Sequence, residues 1–401
     1  MKRAVVLLFL GVAGLLRAGD RDVALHAAEG ERVTTLIHVS PEGGGNRSGE
    51  SLRDALPFGF IQGEMRRQEG DLKLLLGPGE YRLDQPIIVP RREGRTILRG
   101  ADERTVLVGS YSPGEARRGH AAFLLRGDRV EIEAMSFRSL GSCVSTSRNI
   151  GVRHVRLRQL RAREMYSCVV VGRQQQAAVE DWLIEDLQVI GYYKVGIRLS
   201  GSQTSDIRMS SILLDGKNRE QRNDCHKGGI QLLDGVSAIR IEDAVIRNNV
   251  GDCGLRYQQG DSIEIDHKGG TPHGIRIKNV RVETSGDAAF DLKGRDVTLE
   301  DVEVLPGPAQ KYAFRFWKYG DYRCTRCKSA GAKMAHVGLV NATVSFRQSQ
   351  FVDGATEGRL CLISDYASGA ESRVDFIDSR RDGTPIAFAE PLCQARYRPS
   401  E

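Results

Sequence analysis

Short runs of alternating apolar and polar residues recur along most of the chain. Each run leads into a Gly- or Ser-containing turn and then a second run of form h-x-h-x-(D/N)-x-x-h, where h is apolar. Five consecutive copies read VGIRLSGSQTSDIRMSSILL, GGIQLLDGVSAIRIEDAVI, CGLRYQQGDSIEID, AAFDLKGRDVTLEDVEV and AFRFWKYGDYRCTRC. Weaker copies flank them, such as FLLRGDRVEIEAMSF, CVSTSRNIGVRHVRL, GLVNATVSFRQSQF and LCLISDYASGAESRVDF. Alternation with period 2 gives a strand one buried side. The first inward residues of the clear copies read as Ile197, Ile230, Leu255, Phe290 and Phe314, separated by 33, 25, 35 and 24 residues. A leucine-rich or ankyrin array holds its period more tightly. A constant strand unit with variable loops is a β-solenoid, in which each coil covers the apolar face of the next. The pattern therefore predicts an all-β, right-handed parallel β-helix as one domain, although a chain of 401 residues suggests several domains on length alone.

The two ends read differently. Lys2 and Arg3 precede an apolar stretch from Ala4 to Leu16, which is short for a bilayer span. We read residues 1–18 as a signal peptide cut after Ala18. Residues 19–120 are expected to form an N-terminal cap and the first coils. There IHVSPEGGGNRSGESLRDAL gives a strand, a Gly-rich loop and a short helix, and LKLLLGPGEYRLDQPIIV gives two more strands. A helix here can cover the open end of a solenoid. Coils are expected over 121–390 and a tail over 391–401.

Composition adds a few constraints. The net charge of +6 comes from 58 basic residues interleaved with 52 acidic ones, without the concentrated basic stripe of a nucleic-acid binder. The small excess favours an acidic partner. Eight cysteines in an exported chain permit disulfides, although spacing alone does not pair them. Cys324 and Cys327 form a CxxC, which invites a metal or redox reading. Aligning RDVTLEDVEV with GDYRCTRCKS instead sets Cys324 against Leu299 and Cys327 against Val302, both core slots.

On the coil unit, as in GGIQLLDGVSAIRIEDAVI, and on the opening HVSPEGGG with GPGEYRL, the chain resembles the pectate-lyase-like superfamily of right-handed β-helix proteins over about residues 35–390. The resemblance implies polysaccharide lyase, glycoside hydrolase, uronan epimerase or carbohydrate-binding activity. Fold alone does not choose among these. GDCG (251–254) and GIRIK (274–278) resemble fragments of polygalacturonase motifs. The Asn-Thr-Asp triplet of that family is absent, its Asp-Asp pair is reduced to Asp252, and no Gly-His-Gly follows. No catalytic role is carried over.

Stacked coils turn sequence period into spatial columns, with neighbouring strands roughly 4.8 Å apart. One residue after the inward position come Arg198, Gln231, Arg256, Asp291 and Arg315. One before it come Gly196, Gly229, Gly254, Ala289 and Ala313, read as a floor without side chains. Three before it come Lys194, Lys227, Asp252, Asp287 and Lys311. Charges flanking a bare floor suit a polymer lying along it, and long insertions before Ile230 and Ile275 open beside the same coils. The plainer reading is that outward charges pair between coils and small residues only permit a bend.

Two chemistries fit these columns. A lyase acting on a uronic-acid polymer needs a base and cations near the sugar carboxylate. Candidate catalytic residues are Lys227, Arg256, His226 and Asp287, with Lys194, Arg198, Gln231, Asp291, Arg315 and His273 binding substrate. Asp252, Asp287 and Asp291 offer the oxygen ligands that Ca²⁺ prefers. A hydrolase instead needs two carboxyls, one protonated, and Asp252 and Asp287 on adjacent coils would suit a spacing of about 5 Å. His267 lies beside Asp266 and Lys268, and His154 reads as a surface residue. Tyr192 and Tyr193 either stack on sugars or pack at a strand entrance. Asn46-Arg47-Ser48 and Asn341-Ala342-Thr343 match glycosylation sequons. The sequence thus points to a secreted or periplasmic monomer that acts on an anionic polysaccharide, foremost as a lyase by β-elimination. A polygalacturonase-like hydrolase, a C5-epimerase and a non-catalytic glycan-binding or adhesive β-helix are the alternatives. Nucleic-acid partners and a membrane span after signal cleavage are not expected.

Overall fold

The computed structural model describes residues 34–113, 119–172, 176–218, 226–251, 259–305, 307, 309–318, 320–353, 359–364, 372–386 and 393–395. The expected signal peptide and the residues Asp252 and Arg256 lie outside them. The chain is a right-handed parallel β-helix. Twelve short strands form one sheet in strict chain order, each parallel to the next. Phe123, Val144, Val169, Ile197 and Ile230 stand in one inward column, which continues through Ile263, Phe290, Phe314 and Val337.

The remaining strands form a second, bent sheet. Its longest members are Val152–Arg163, Val179–Ile190, Thr204–Asp215, Ser237–Asn249 and His273–Ser285. Each has more than one residue of positive φ, and one of these recurs at the same mid-strand corner. Gln159, Asp186, Ser211, Asp243, Asn279 and Asp301 all have φ between 50° and 56° and stack in register. This is the (D/N) slot of the repeat. Asp and Asn tolerate the left-handed region better than most side chains, because a short polar group can bond locally. The corner therefore explains why the repeat demands that residue type.

The core fills the space between the sheets. Phe290 stacks on Phe314 at 5.4 Å, and Phe314 meets Phe346 edge-on at 5.8 Å. Trp182 is fully buried and donates its indole N–H to the Val152 carbonyl at 3.1 Å. Cys324 pairs in register with Leu299, and both Cys324 and Cys327 are buried free thiols, as the alignment anticipates. Two disulfides, Cys143–Cys168 and Cys361–Cys393, staple neighbouring coils. At the N-terminal end, helix Ile61–Arg67 buries Ile61 and Met65 against the first coils, and Gln62 reaches the Ile88 carbonyl on the first short strand. It lies after the SLRDAL segment, which forms turns and a two-residue strand. Among the described residues no helix is long and apolar enough to cross a membrane.

Two sequence readings need correction. The coil assigned to Leu255 takes its inward residue from Ile263, which pairs with Ile230 on one side and Phe290 on the other. Glu264 therefore occupies the column position read for Arg256, and Gly260 the one read for Asp252. The Gly and Ala residues are also not a groove floor. A Cβ on Gly196 would meet the core side chain of Leu214 at 2.9 Å, and one on Gly229 would meet Ile246 at 2.5 Å. Ala289 and Ala313 likewise belong to the core. The column is small because it packs into the inner corner, where Cys143 and Cys168 also sit.

Candidate functional site

The outward face of the short-strand sheet carries a groove of about 960 Å³. It runs over the strands Val195–Ser200, Gly228–Leu233, Asp261–Asp266, Ala288–Leu292 and Tyr312–Trp317. Its real floor lies two residues before the inward column. Gly228, Asp261, Ala288, Tyr312 and Ala335 stand there in register. Ala288, Tyr312 and Ala335 form a small apolar cluster separate from the main core.

Polar side chains are wired along the groove. The Arg198 guanidinium donates twice to the Gln231 carbonyl oxygen, at 2.9 and 2.7 Å. The Gln231 amide in turn donates to Glu264 at 2.6 Å. Asp291 is the register partner of Glu264 on the next coil, and it accepts from Lys293 at 2.9 Å and from the Trp317 indole at 2.5 Å. The Arg315 guanidinium lies 4.5 Å above the Trp317 ring and 5.3 Å from the Tyr312 ring. Asp287 meets Lys311 at 3.0 Å and Arg315 at 3.4 Å.

Five carboxyl groups thus converge on two adjacent coils: Asp261, Glu264, Asp266, Asp287 and Asp291. Like charges this close cannot all ionise cheaply. Asp261 is half-buried on the groove floor, where its Oδ1 accepts the Ala288 N–H at 2.9 Å. That burial, and the charges of Asp291, Glu264 and Asp287, push its carboxyl well above the ordinary range. Glu264 is raised by its enclosure and by Asp291 and Asp266, with Lys293 opposing. Burial disfavours the Lys293 ammonium, but Asp291, Asp266 and Glu264 outweigh it and hold its pKa above the usual lysine value.

No protein-family model and no curated protein matches the chain. Solved structures resemble it at low identity. Pectate lyase Pel9A is 12% identical, with 89% of this chain and 82% of that chain covered and a TM-score of 0.38. The periplasmic alginate epimerase AlgG is 8% identical over 76% of this chain and 78% of that one, with a TM-score of 0.49. PfbA, a surface adhesin of Streptococcus pneumoniae, is 9% identical over 80% and 85%, with a TM-score of 0.47.

In this β-helix the expected site residues separate into three groups. Lys194, Arg198, His226, Gln231, Asp287, Asp291 and Arg315 line the groove together. Lys227 does not line it. It is buried, donates to the Gly216 carbonyl at 2.7 Å and lies 5.5 Å from the Tyr192 ring. His273 is exposed at the start of a long strand of the other sheet, paired with Ser237 and Arg295. Asp252 and Arg256 lie outside the described residues. Tyr192 is fully buried and Tyr193 packs edge-on against Tyr111, so both serve packing. His154 is on the surface, bound to Asp181 at 2.7 Å.

Sequence reasoning missed Asp261, Glu264, Lys293 and Trp317. Asp261 and Glu264 follow from the corrected register, because GDSIEID rather than CGLRYQQ supplies the coil; Lys293 and Trp317 stand three residues after the inward Phe290 and Phe314, a column the sequence reading did not take up. A Ca²⁺ site fares differently. Asp287 and Asp291 already hold ammonium, guanidinium and indole partners, and among the described residues no group of three His, Cys, Asp or Glu side chains is arranged to hold a metal. Asp252, the third residue expected to offer an oxygen ligand, lies outside the described residues, and no step is derived through a metal.

Proposed function

We propose that this protein is a secreted enzyme that cleaves an anionic polysaccharide in the groove of its short-strand sheet, by acid–base hydrolysis of a glycosidic bond. The observation that carries this reading is the carboxyl cluster. The pKa of Asp261 is raised by its burial and by the neighbouring Asp291, Glu264 and Asp287, while Asp287 on the next coil is flanked by Lys311 and Arg315. Two carboxyls in opposite environments are what glycoside hydrolysis uses: one donates a proton to the leaving oxygen, and the other acts on the anomeric carbon directly or through water. Asp261 is the proton donor in this reading and Asp287 the opposing carboxylate. Arg198, Lys311 and Arg315 suit acidic groups on the sugars either side.

A second reading is β-elimination. The groove cations favour it, since they can neutralise a uronate carboxylate while a proton is removed beside it. One experiment separates the two. The protein is incubated with polygalacturonate, alginate and glycosaminoglycans, and both reducing ends and ultraviolet absorbance are followed. Hydrolysis gives reducing ends without absorbance from unsaturated sugars. Elimination gives both. Absence of any product on every substrate overturns the enzymatic reading and leaves glycan binding.

A further inference from the structure

Charge is sorted along the groove of the short-strand sheet. One residue after the inward position, five successive strands carry Arg198, Gln231, Glu264, Asp291 and Arg315 in register. A cation, a neutral amide, two acids and a cation therefore follow one another along the axis. The two end positions stand four strand spacings apart, roughly 19 Å, a length that spans several sugar rings.

The middle is acidic beyond this one column. The strand that carries Glu264 also carries Asp261 and Asp266. Lys293 divides its ammonium between Asp291 at 2.9 Å and Asp266 at 3.9 Å. Lys268 comes within 3.8 Å of Asp266, but its side chain is 85% exposed. Glu264 accepts from the Gln231 amide and Asp291 from the Trp317 indole, so both already take N–H donors. The ends are different. Arg198 donates to the neutral Gln231 side chain, and Arg315 packs against the Trp317 and Tyr312 rings and shares Asp287 with Lys311.

A sugar carboxylate set over Glu264 and Asp291 would face two carboxyls one strand apart, and like charges that close oppose binding. A hydroxyl or an acetamido N–H set there donates to the same oxygens. Toward either end, a sugar carboxylate meets a guanidinium whose planar fork matches it. Repulsion of the wrong partner is one way a site becomes selective.

We propose that the groove takes a polysaccharide whose acidic sugars are separated by sugars without a carboxylate, the latter lying over Glu264 and Asp291 and the acidic ones toward Arg198 and Arg315. The proposal rests on the reading of this groove as the site of polysaccharide cleavage and narrows its substrate, because a polymer acidic at every sugar is disfavoured.

The test uses the full chain and two fluorescein-labelled oligosaccharides of equal length, read by fluorescence anisotropy. In one, glucuronate alternates with N-acetylglucosamine; the other is oligogalacturonate. Wild type is expected to bind the alternating probe at least tenfold more tightly. E264Q and D291N should each bind oligogalacturonate about fivefold more tightly than wild type does, and R315Q should weaken the alternating probe by a similar factor. The proposal is overturned if wild type binds oligogalacturonate as tightly as the alternating probe, if it binds neither, if the folded E264Q and D291N variants keep the wild-type preference, or if R315Q binds the alternating probe like wild type. Reducing ends are followed in parallel on both substrates. Release of ends from polygalacturonate, with oligogalacturonate bound the more tightly, would leave the cleavage reading standing and sink this one. Selective binding of the alternating probe with no ends released would do the reverse.

Discussion

The two sheets use charge in opposite ways. On the bent sheet, Arg153, Arg158 and Arg161 alternate with Glu131, Glu180, Glu185 and Asp186 across coils, and the pairs are open to water. On the short-strand sheet, five carboxyls crowd two adjacent coils, and their mutual repulsion adds to burial in raising Asp261 and Glu264. Alternation between coils satisfies a solenoid's surface cheaply. Crowding carboxyls on adjacent coils, even with Lys293, Lys311 and Arg315 beside them, works against stability and is the arrangement that shifts protonation toward catalytic use. The difference locates the site more firmly than any single residue does.

The largest effect should come from Asp261. Asp261→Asn keeps shape and removes the transferable proton. Product formation on the substrate identified above should fall at least 100-fold, the usual scale for losing a general acid. A matching Asp186→Asn on the bent sheet should leave the rate within a factor of two. Equal rates for wild type and Asp261→Asn would end the comparison in its present form.

The same variant has a stability signature. The folded-state pKa of Asp261 is raised, so the folded protein binds this proton more tightly than the unfolded chain does. The favourable contribution is complete below the unfolded value of about 3.9 and is lost as pH rises through the folded value. Asp261→Asn should therefore melt higher than wild type at about pH 8, and the gap should close toward about pH 4. A variant that melts lower at both pH values would show that the carboxyl is needed for structure.

A buried network near the last coils gives an intermediate case. Ser329 Oγ lies 2.7 Å from His336 Nδ1, His336 Nε2 lies 3.1 Å from Asp353, and Asp353 meets Arg381 at 2.5 Å. Ser329 and His336 are almost fully buried, so this chain of bonds clasps coils together and offers no accessible nucleophile. His336→Ala leaves Ser329 and Asp353 without their partner and should cost about 2–3 kcal/mol in denaturant unfolding. Burial lowers the His336 pKa, against the pull of Asp353 and Asp382, and Arg381 adds to the lowering. The neutral ring is thus the folded form. Its contribution is present above the unfolded value of about 6.5 and declines as pH falls through it toward the folded value. Wild type should lose stability over that window, and His336→Ala should lose less.

The fold was legible because the repeat is physical. Ile197, Ile230, Phe290 and Phe314 all mark true inward positions, and the Asp or Asn of most second strands, with Gln159 and Ser211 in two, marks the corner where φ turns positive. The site was only half legible. CGLRY and DSIEID both alternate apolar and polar residues, and nothing local distinguishes them. Only pairing with Gly228–Leu233 on one side and Ala288–Leu292 on the other selects the second. That slip of eight residues hid Asp261 and Glu264. The glycines misled for a related reason. Small residues at a fixed place signal close approach, but the sequence does not say whether the neighbour is a ligand or Leu214 and Ile246 of the core.

The smallest expected effect tests the other half of the comparison. If the bent-sheet ladder is only a solvated charge pattern, its pairs should be nearly silent one at a time. Arg161 and Asp186 approach to 2.8 Å, yet both side chains remain about a third or more exposed. Water and salt screen such a pair, and holding two side chains in one geometry costs entropy. A double-mutant cycle with Arg161→Ala and Asp186→Ala should give a coupling of about 0.5 kcal/mol, shrinking as salt is raised. Asp186 also occupies the corner with φ of 50°, so its alanine variant carries a backbone penalty that the cycle cancels. A coupling near 3 kcal/mol would mean that the ladder is cooperative across coils. The contrast between the two sheets would then be one of sign arrangement alone, and the bent sheet would hold the solenoid together as strongly as the core does.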